Sequence, residues 1–172
     1  MGASREPLGS IGVERVGMKG RTVLLWGWRG LGAALAVGGL EAAAALGETP
    51  VSLIPFVTSI AVVMGMPEAD PAQPRALVGG HLVASLVGFA MLSLFGSSSV
   101  CAALAVGMSL VAMRLTGTMH PPAGIDPLLI VAEGPSPLFI LVPVATGSAI
   151  LCVFALLWHR LMSDAPWPKR WI

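Results

Sequence analysis

The chain has 172 residues, 55% of them hydrophobic and only 11% charged, against about a quarter charged in soluble domains. With a mean hydropathy of +0.84, it cannot hide its apolar surface in a water-soluble fold of this size, and an all-α integral membrane protein is expected. A net charge of +1 with the cations gathered at the two ends excludes the clustered basic face of a nucleic-acid binder.

Residues 1–22 mix Arg5, Glu6, Glu14, Arg15, Lys19 and Arg21 without an apolar core or a small-residue cleavage site. They read as a cytoplasmic tail and not as a signal peptide. The membrane domain is expected over residues 23–160. Four stretches within it are long and apolar enough to cross a bilayer at about 20 residues per span: Val23 to Leu46, Ala76 to Phe95, Val100 to Thr116 and Pro137 to Trp158. Two shorter pieces, Val51 to Met66 and Pro122 to Ala132, are seeded with or bounded by Pro and Gly. If both re-enter, four helices cross; if both cross, six do. Either count is even and places both ends on one side. The order long, broken, long occurs twice, which suggests an internal repeat.

Arg5, Arg15, Lys19 and Arg21 precede the first span, while His159, Arg160, Lys169 and Arg170 follow the last. The positive-inside rule makes both ends cytoplasmic, so residues 161–172 form a second tail. The implied location is a cell membrane, the bacterial inner membrane, with several passes. Trp26, Trp28, Trp158, Trp167 and Trp171 read as anchors at the headgroup level.

Helices in lipid are held together by small residues that let backbones approach. Ala76, Gly80, Ala84 and Gly88 recur on one face of the second long span, Ala103 and Gly107 on the third, and Gly30, Ala34 and Gly38 on the first. Tight packing within a protomer, or between protomers of a homo-oligomer, is expected on these faces. Cys101 and Cys152 lie inside apolar stretches and read as small buried hydrophobes.

Ionisable residues at membrane depth are costly and usually face a cavity or one another. His81 lies early in the second span, just after Arg75; Arg114 ends the third; Asp126 sits beside His120 in the second broken piece. Glu41 lies near the far end of the first span and Glu48 just beyond it. Between Thr116 and Pro127 the prolines Pro121, Pro122 and Pro127 remove backbone donors, so no regular helix can form. Irregular backbone at this depth needs protein or water around it, and broken helices often supply transporter sites. A half-helix starting near Pro122 would aim free amides at His120 and at an anion; alternatively His120 caps that helix or satisfies a loop carbonyl. His81, His120 and Asp126 could in principle ligate a metal by residue type, but no metal or cofactor is expected. No nucleophile is paired with a base, and Ser97, Ser98 and Ser99 read as a turn, so an enzyme is not expected.

The run Thr118-Met119-His120-Pro121-Pro122-Ala123-Gly124 resembles the signature of the HPP family of small integral membrane proteins, and Ala72-Gln73-Pro74-Arg75 followed by Gly79-Gly80-His81 resembles its other block. The resemblance covers about Val23 to Arg160. It implies four membrane helices and, from plant and cyanobacterial members, an anion path with nitrite as the default cargo. On that reading His120, Pro121, Pro122, Gly124, Asp126, His81, Arg75 and Arg114 line the binding site or pathway, His81 relays a proton, and the partners are the lipid bilayer and a small anion. The alternative is a sensor or assembly module that transports nothing. Two departures stand out. Phe56-Val57-Thr58-Ser59 replaces a Phe-Gly-Ala-Ser block, and Ile125-Asp126-Pro127 replaces small uncharged residues. An ionised Asp126 would repel nitrite, so it faces away, is protonated or paired, or the cargo is different.

Overall fold

Among the described residues there are six α-helices: α1 (Gly20–Gly47), α2 (Ile54–Gly65), α3 (Pro74–Phe95), α4 (Ser99–Thr116), α5 (Ile125–Glu133) and α6 (Thr146–Met162). The computed structural model describes residues 20–47, 54–162 and 167–171. The cations of the first 19 residues and Glu48 lie outside the described residues.

Four helical stretches are long and apolar enough to span: Thr22–Ala45, Pro74–Phe95, Ser99–Thr116 and Pro137–Leu161. The 12 residues of α2 and the nine of α5 extend only about 18 and about 14 Å at 1.5 Å per residue, against a hydrocarbon layer of about 30 Å. Neither crosses alone. The described residues thus form an all-helical membrane protein with four candidate spans and two half-helices, the lower of the two counts that the broken pieces of sequence leave open. The last span differs from the unbroken helix expected over 137–158. A 3-10 turn (Pro137–Ile140) and a π turn precede α6, with Val142 out of helical geometry at φ −133°, ψ 116°. Pro143 causes this, because its ring carries no N–H and restricts the residue before it.

Helix ends follow local chemistry. At the start of α4 the Ser98 hydroxyl accepts the Cys101 N–H at 3.1 Å, so the serine turn expected at 97–99 acts as an N-cap. α4 stops at Gly117, whose left-handed backbone (φ 68°, ψ 29°) costs little without a side chain. α3 starts with Pro74 in its first turn, where a missing N–H costs no hydrogen bond. The buried Gln73 before it is fully used: its amide donates to the Pro67 and Ala69 carbonyls and its oxygen accepts the Lys169 N–H at 2.8 Å.

α3 is the central helix, packed on α4, α5, α6 and the turn before α5. A Cβ at Gly80 would lie 2.6 Å from the His120 Cβ, and one at Gly88 would lie 2.8 Å from the Pro127 Cα. The small face of α3 therefore seats the proline-broken segment itself. The other two small faces do not pack within the protomer. Ala103, Gly107, Gly30, Ala34 and Gly38 are exposed on the protomer. α4 instead buries Cys101, Ala102, Ala105, Ser109 and Met113, and α1 buries Gly32 against Trp158. The expected set of tryptophan anchors also divides. Trp26 and Trp171 are exposed, whereas Trp167 is buried among Ile60, Val63, Leu77 and Ala155, and Trp158 stacks on Trp28 at 4.2 Å. Indole rings there fill the gaps that Ala and Gly leave.

Arg29 of α1 donates to the Gly65 carbonyl at 3.0 Å and pairs with Glu68. His159 of α6 donates to the Val63 carbonyl at 3.1 Å. The end of α2 is thereby fixed from both sides, which orients its inner face toward α3.

Candidate functional site

That inner face carries Ser59, and α3 opposes it with His81 and Ser85. The turn before α5 brings His120, and the first turn of α5 brings Asp126. All five side chains have 0% exposure. They form one chain of contacts. The Asp126 Oδ2 lies 2.8 Å from the His81 Nδ1 and 3.4 Å from the Ser85 hydroxyl, which donates to it. The His81 Nε2 lies 2.9 Å from the Ser59 Oγ. The same oxygen lies 2.9 Å from the His120 Nε2, and the His120 Nδ1 donates to the Pro71 carbonyl at 2.7 Å. Buried polar groups must find partners, and here each ring nitrogen has one.

The structure brings His81, His120 and Asp126 together, as their cost at membrane depth suggests. Of the alternatives named for Asp126, the structure shows the pairing, with His81. The anion cradle expected from the amides near Pro122 is corrected. The His120 side chain does not cap the following turn; its backbone carbonyl accepts the Ala123 N–H at 3.0 Å, and its ring satisfies the loop carbonyl of Pro71. Pro121 is exposed, and Pro122 and Gly124 are half-buried. None of the three hydrogen-bonds to either ring, whose partners are Asp126, Ser59 and the Pro71 carbonyl. Nor do the rings converge on one point as metal ligands do, because Ser59 stands between them. Among the described residues no group of three His, Cys, Asp or Glu is arranged to hold a metal.

Arg75 and Arg114 lie outside this buried chain. Arg75 donates to the Thr116 carbonyl at 2.9 Å, a cation at the C-terminus of α4 where the helix dipole favours one. Both arginines, with Asp70, Gln73, Met119 and Arg170, line a surface recess of about 280 Å³. Arg170 pairs with Asp70, so guanidinium groups outnumber carboxylates there. Met119, which lines the recess, is the residue before His120; neither ring lines it. Against the rings lies Phe56, 2% exposed, with its ring 5.0 Å from that of His81. Beyond Phe56 an apolar crevice of about 500 Å³ opens between α1, α2 and α6.

Ser85 is not marked by the sequence, and Phe56 and Ser59 are marked only as the two ends of a block that departs from the family pattern, with no role at the site. Ser59 ends the block that replaces Phe-Gly-Ala-Ser, and its serine is unchanged there. α2 runs through Phe56–Ser59 as helix, so no glycine turn is needed.

A bundle of four apolar spans enclosing a sealed polar chain defines a multi-pass integral membrane protein. Residues 18–168 match the HPP transmembrane region. The chain belongs to the HPP transmembrane family. Two transmembrane proteins of Dictyostelium discoideum are similar to it. One is 33% identical over 132 residues, covering 72% of this chain and 42% of the relative; the other is 31% identical over 124 residues, covering 67% and 44%. The chain spans less than half the length of these curated relatives. No solved structure matches it.

Proposed function

We propose that this chain is a transporter for a small inorganic anion, with nitrite the cargo that the family resemblance implies, and that it works in a bacterial inner membrane with the recess end of the bundle on the cytoplasmic side. The observation that carries this reading is the recess. Arg75, Arg114 and Arg170 surround it, Asp70 is its one lining carboxylate, and Met119, the residue before the buried His120, lines it as well. A concave site of one charge sign concentrates counter-ions, and the guanidinium fork suits a small oxyanion. On this reading the buried chain of His81, Ser59 and His120 is the barrier of a closed state, with Phe56 packed against His81. Nitrite meets Asp126 only as a paired carboxylate, which removes the repulsion expected of a free one.

The full burial of both rings also supports a second reading, a sealed sensor or assembly module with no path. Flux decides between them. Protein reconstituted in vesicles is given nitrite, nitrate or chloride at several concentrations and pH values. Uptake above empty vesicles, reduced in Arg114→Ala, is the expected result. Uptake no faster than in empty vesicles for every anion and pH overturns the transporter.

A further inference from the structure

We propose that Ser59 joins His81 and His120 into a relay that holds one mobile proton within the membrane domain and passes it from ring to ring. The inference stands on hydrogen-bond geometry and does not depend on the anion reading.

The argument is a count of hydrogens along fixed contacts. The His120 Nδ1 faces a carbonyl at 2.7 Å; a carbonyl only accepts, so that nitrogen carries hydrogen. Ser59 has one hydroxyl hydrogen and meets the Nε2 of both rings at 2.9 Å. It therefore donates to one ring and accepts from the other. Suppose it donates to His120. His81 must then supply its Nε2–H, and a further proton must lie between the His81 Nδ1 and the Asp126 Oδ2, 2.8 Å apart. Suppose instead that it donates to His81. His120 then carries hydrogen on both nitrogens, and His81 donates its Nδ1–H to Asp126. Both arrangements contain one proton more than two neutral rings and a carboxylate. Without it, one contact in the chain sets lone pair against lone pair in a site with no exposure.

The two arrangements differ by a pair of short hops. The His81 Nε2–H bond breaks as a new Ser59 Oγ–H bond forms, and the electron pair stays on His81. The hydroxyl's original hydrogen leaves for the lone pair of the His120 Nε2. Nothing is oxidised or reduced. The positive charge moves between ring centroids 5.2 Å apart with no change in backbone. A third seat is Asp126: its Oδ1 is buried with no hydrogen-bond partner, and such an oxygen costs more on an ionised carboxylate than on a neutral carboxyl. The Pro55 carbonyl, 3.1 Å from the Ser59 Oγ, offers the hydroxyl another acceptor. Turning to it obliges both rings to donate and so requires one more proton. The orientation of Ser59 thus registers how many protons the relay holds.

The surroundings leave the count intact. Phe56 from α2 and Ser85 from α3 are uncharged. Asp70, Arg75, Arg114 and Arg170 line the recess beyond Met119, and His159 of α6 bonds to the Val63 carbonyl. Among the described residues no charged side chain other than Asp126 hydrogen-bonds to the relay.

The test uses full-length protein in lipid bilayers, with histidine nitrogens labelled for solid-state NMR and the Asp126 carboxyl followed by infrared spectroscopy. At about pH 8, where an ordinary His and Asp have both lost their protons, one imidazolium or one protonated carboxyl per chain is expected to persist. Two neutral rings beside a carboxylate at that pH overturn the proposal. In Ser59→Ala the exchange between the two Nε2 signals is expected to vanish, while in Ser85→Ala it persists. Exchange that survives in Ser59→Ala also overturns it. If Ser59→Ala does not fold, the wild-type measurement alone decides.

Discussion

Replacing Gly80 by alanine puts one methyl group where α3 seats the His-Pro-Pro turn. The new Cβ would stand 2.6 Å from the His120 Cβ, 2.9 Å from the Thr118 carbonyl oxygen and 3.4 Å from the Met113 sulfur, where ordinary contact begins at 3.4 Å. His120 would have to retreat by about 0.8 Å. Its ring is held at both nitrogens, at 2.7 and 2.9 Å, so a movement of that size breaks at least one of these bonds. Overpacking of this kind costs about 1–3 kcal/mol and a lost buried hydrogen bond about 1 kcal/mol. The better helix propensity of alanine returns up to about 1 kcal/mol. The expected result is a net loss of about 1–3 kcal/mol, measured by denaturant or thermal unfolding in detergent. Gly107→Ala on α4, where nothing lies within 4 Å, supplies the control and should be neutral or slightly stabilising. Equal effects of the two substitutions would refute the reasoning, because burial of the His-Pro-Pro turn against α3 would then carry no energy.

Asp126→Ala leaves the His81 Nδ1 buried without its partner, and a loss of about 3–5 kcal/mol is expected for a broken buried ion pair; Asp126→Asn, which keeps a hydrogen-bonding group at the site, should unfold less readily than Asp126→Ala in the same assay. Ser98→Ala removes the N-cap of α4 and should cost about 1 kcal/mol without changing flux. Glu68 lies in the turn between α2 and α3. Burial pushes its carboxyl up, but its own backbone N–H and the Arg29 guanidinium outweigh this and hold it below the ordinary 4.5. A lowered value means that the pairing stabilises above the ordinary pKa and is lost as pH falls through the lowered one. Unfolding followed from pH 6 to pH 3 should show a loss in the wild type that Glu68→Gln lacks, of under about 1 kcal/mol because the pair is partly exposed.

Much of the fold was legible because lipid imposes simple rules. The apolar runs beginning at Val23, Ala76 and Val100 needed only length and hydropathy to be read as helices, and α1, α3 and α4 begin within three residues of them. The prolines at 121, 122 and 127 announced the broken segment in the same way. The kink at Val142 was hidden because Pro143 sits in a run whose mean hydropathy hardly registers one proline. The division of small faces was hidden for another reason: Gly80 and Gly107 have the same local pattern, and only the three-dimensional neighbour, His120 for one and nothing for the other, tells them apart. At the site, cost at membrane depth marked His81, His120 and Asp126, because charge and imidazole are rare there. Ser59 carries no such mark. Its importance comes from lying between two rings whose positions in sequence are 22 and 61 residues away, a distance that periodicity cannot bridge.

An anion path of the proposed kind requires that the cationic recess at Met119 be open to water while Ser59 and the two rings stay sealed. Paired labelling rates test this most directly. Met119→Cys and Ser59→Cys are each made in a background carrying Cys101→Ala and Cys152→Ala, reconstituted in bilayers and exposed to a polar thiol reagent. The account predicts rapid labelling at position 119 and protection at position 59. Protection at 119, or labelling at 59 as fast as at 119, would contradict it.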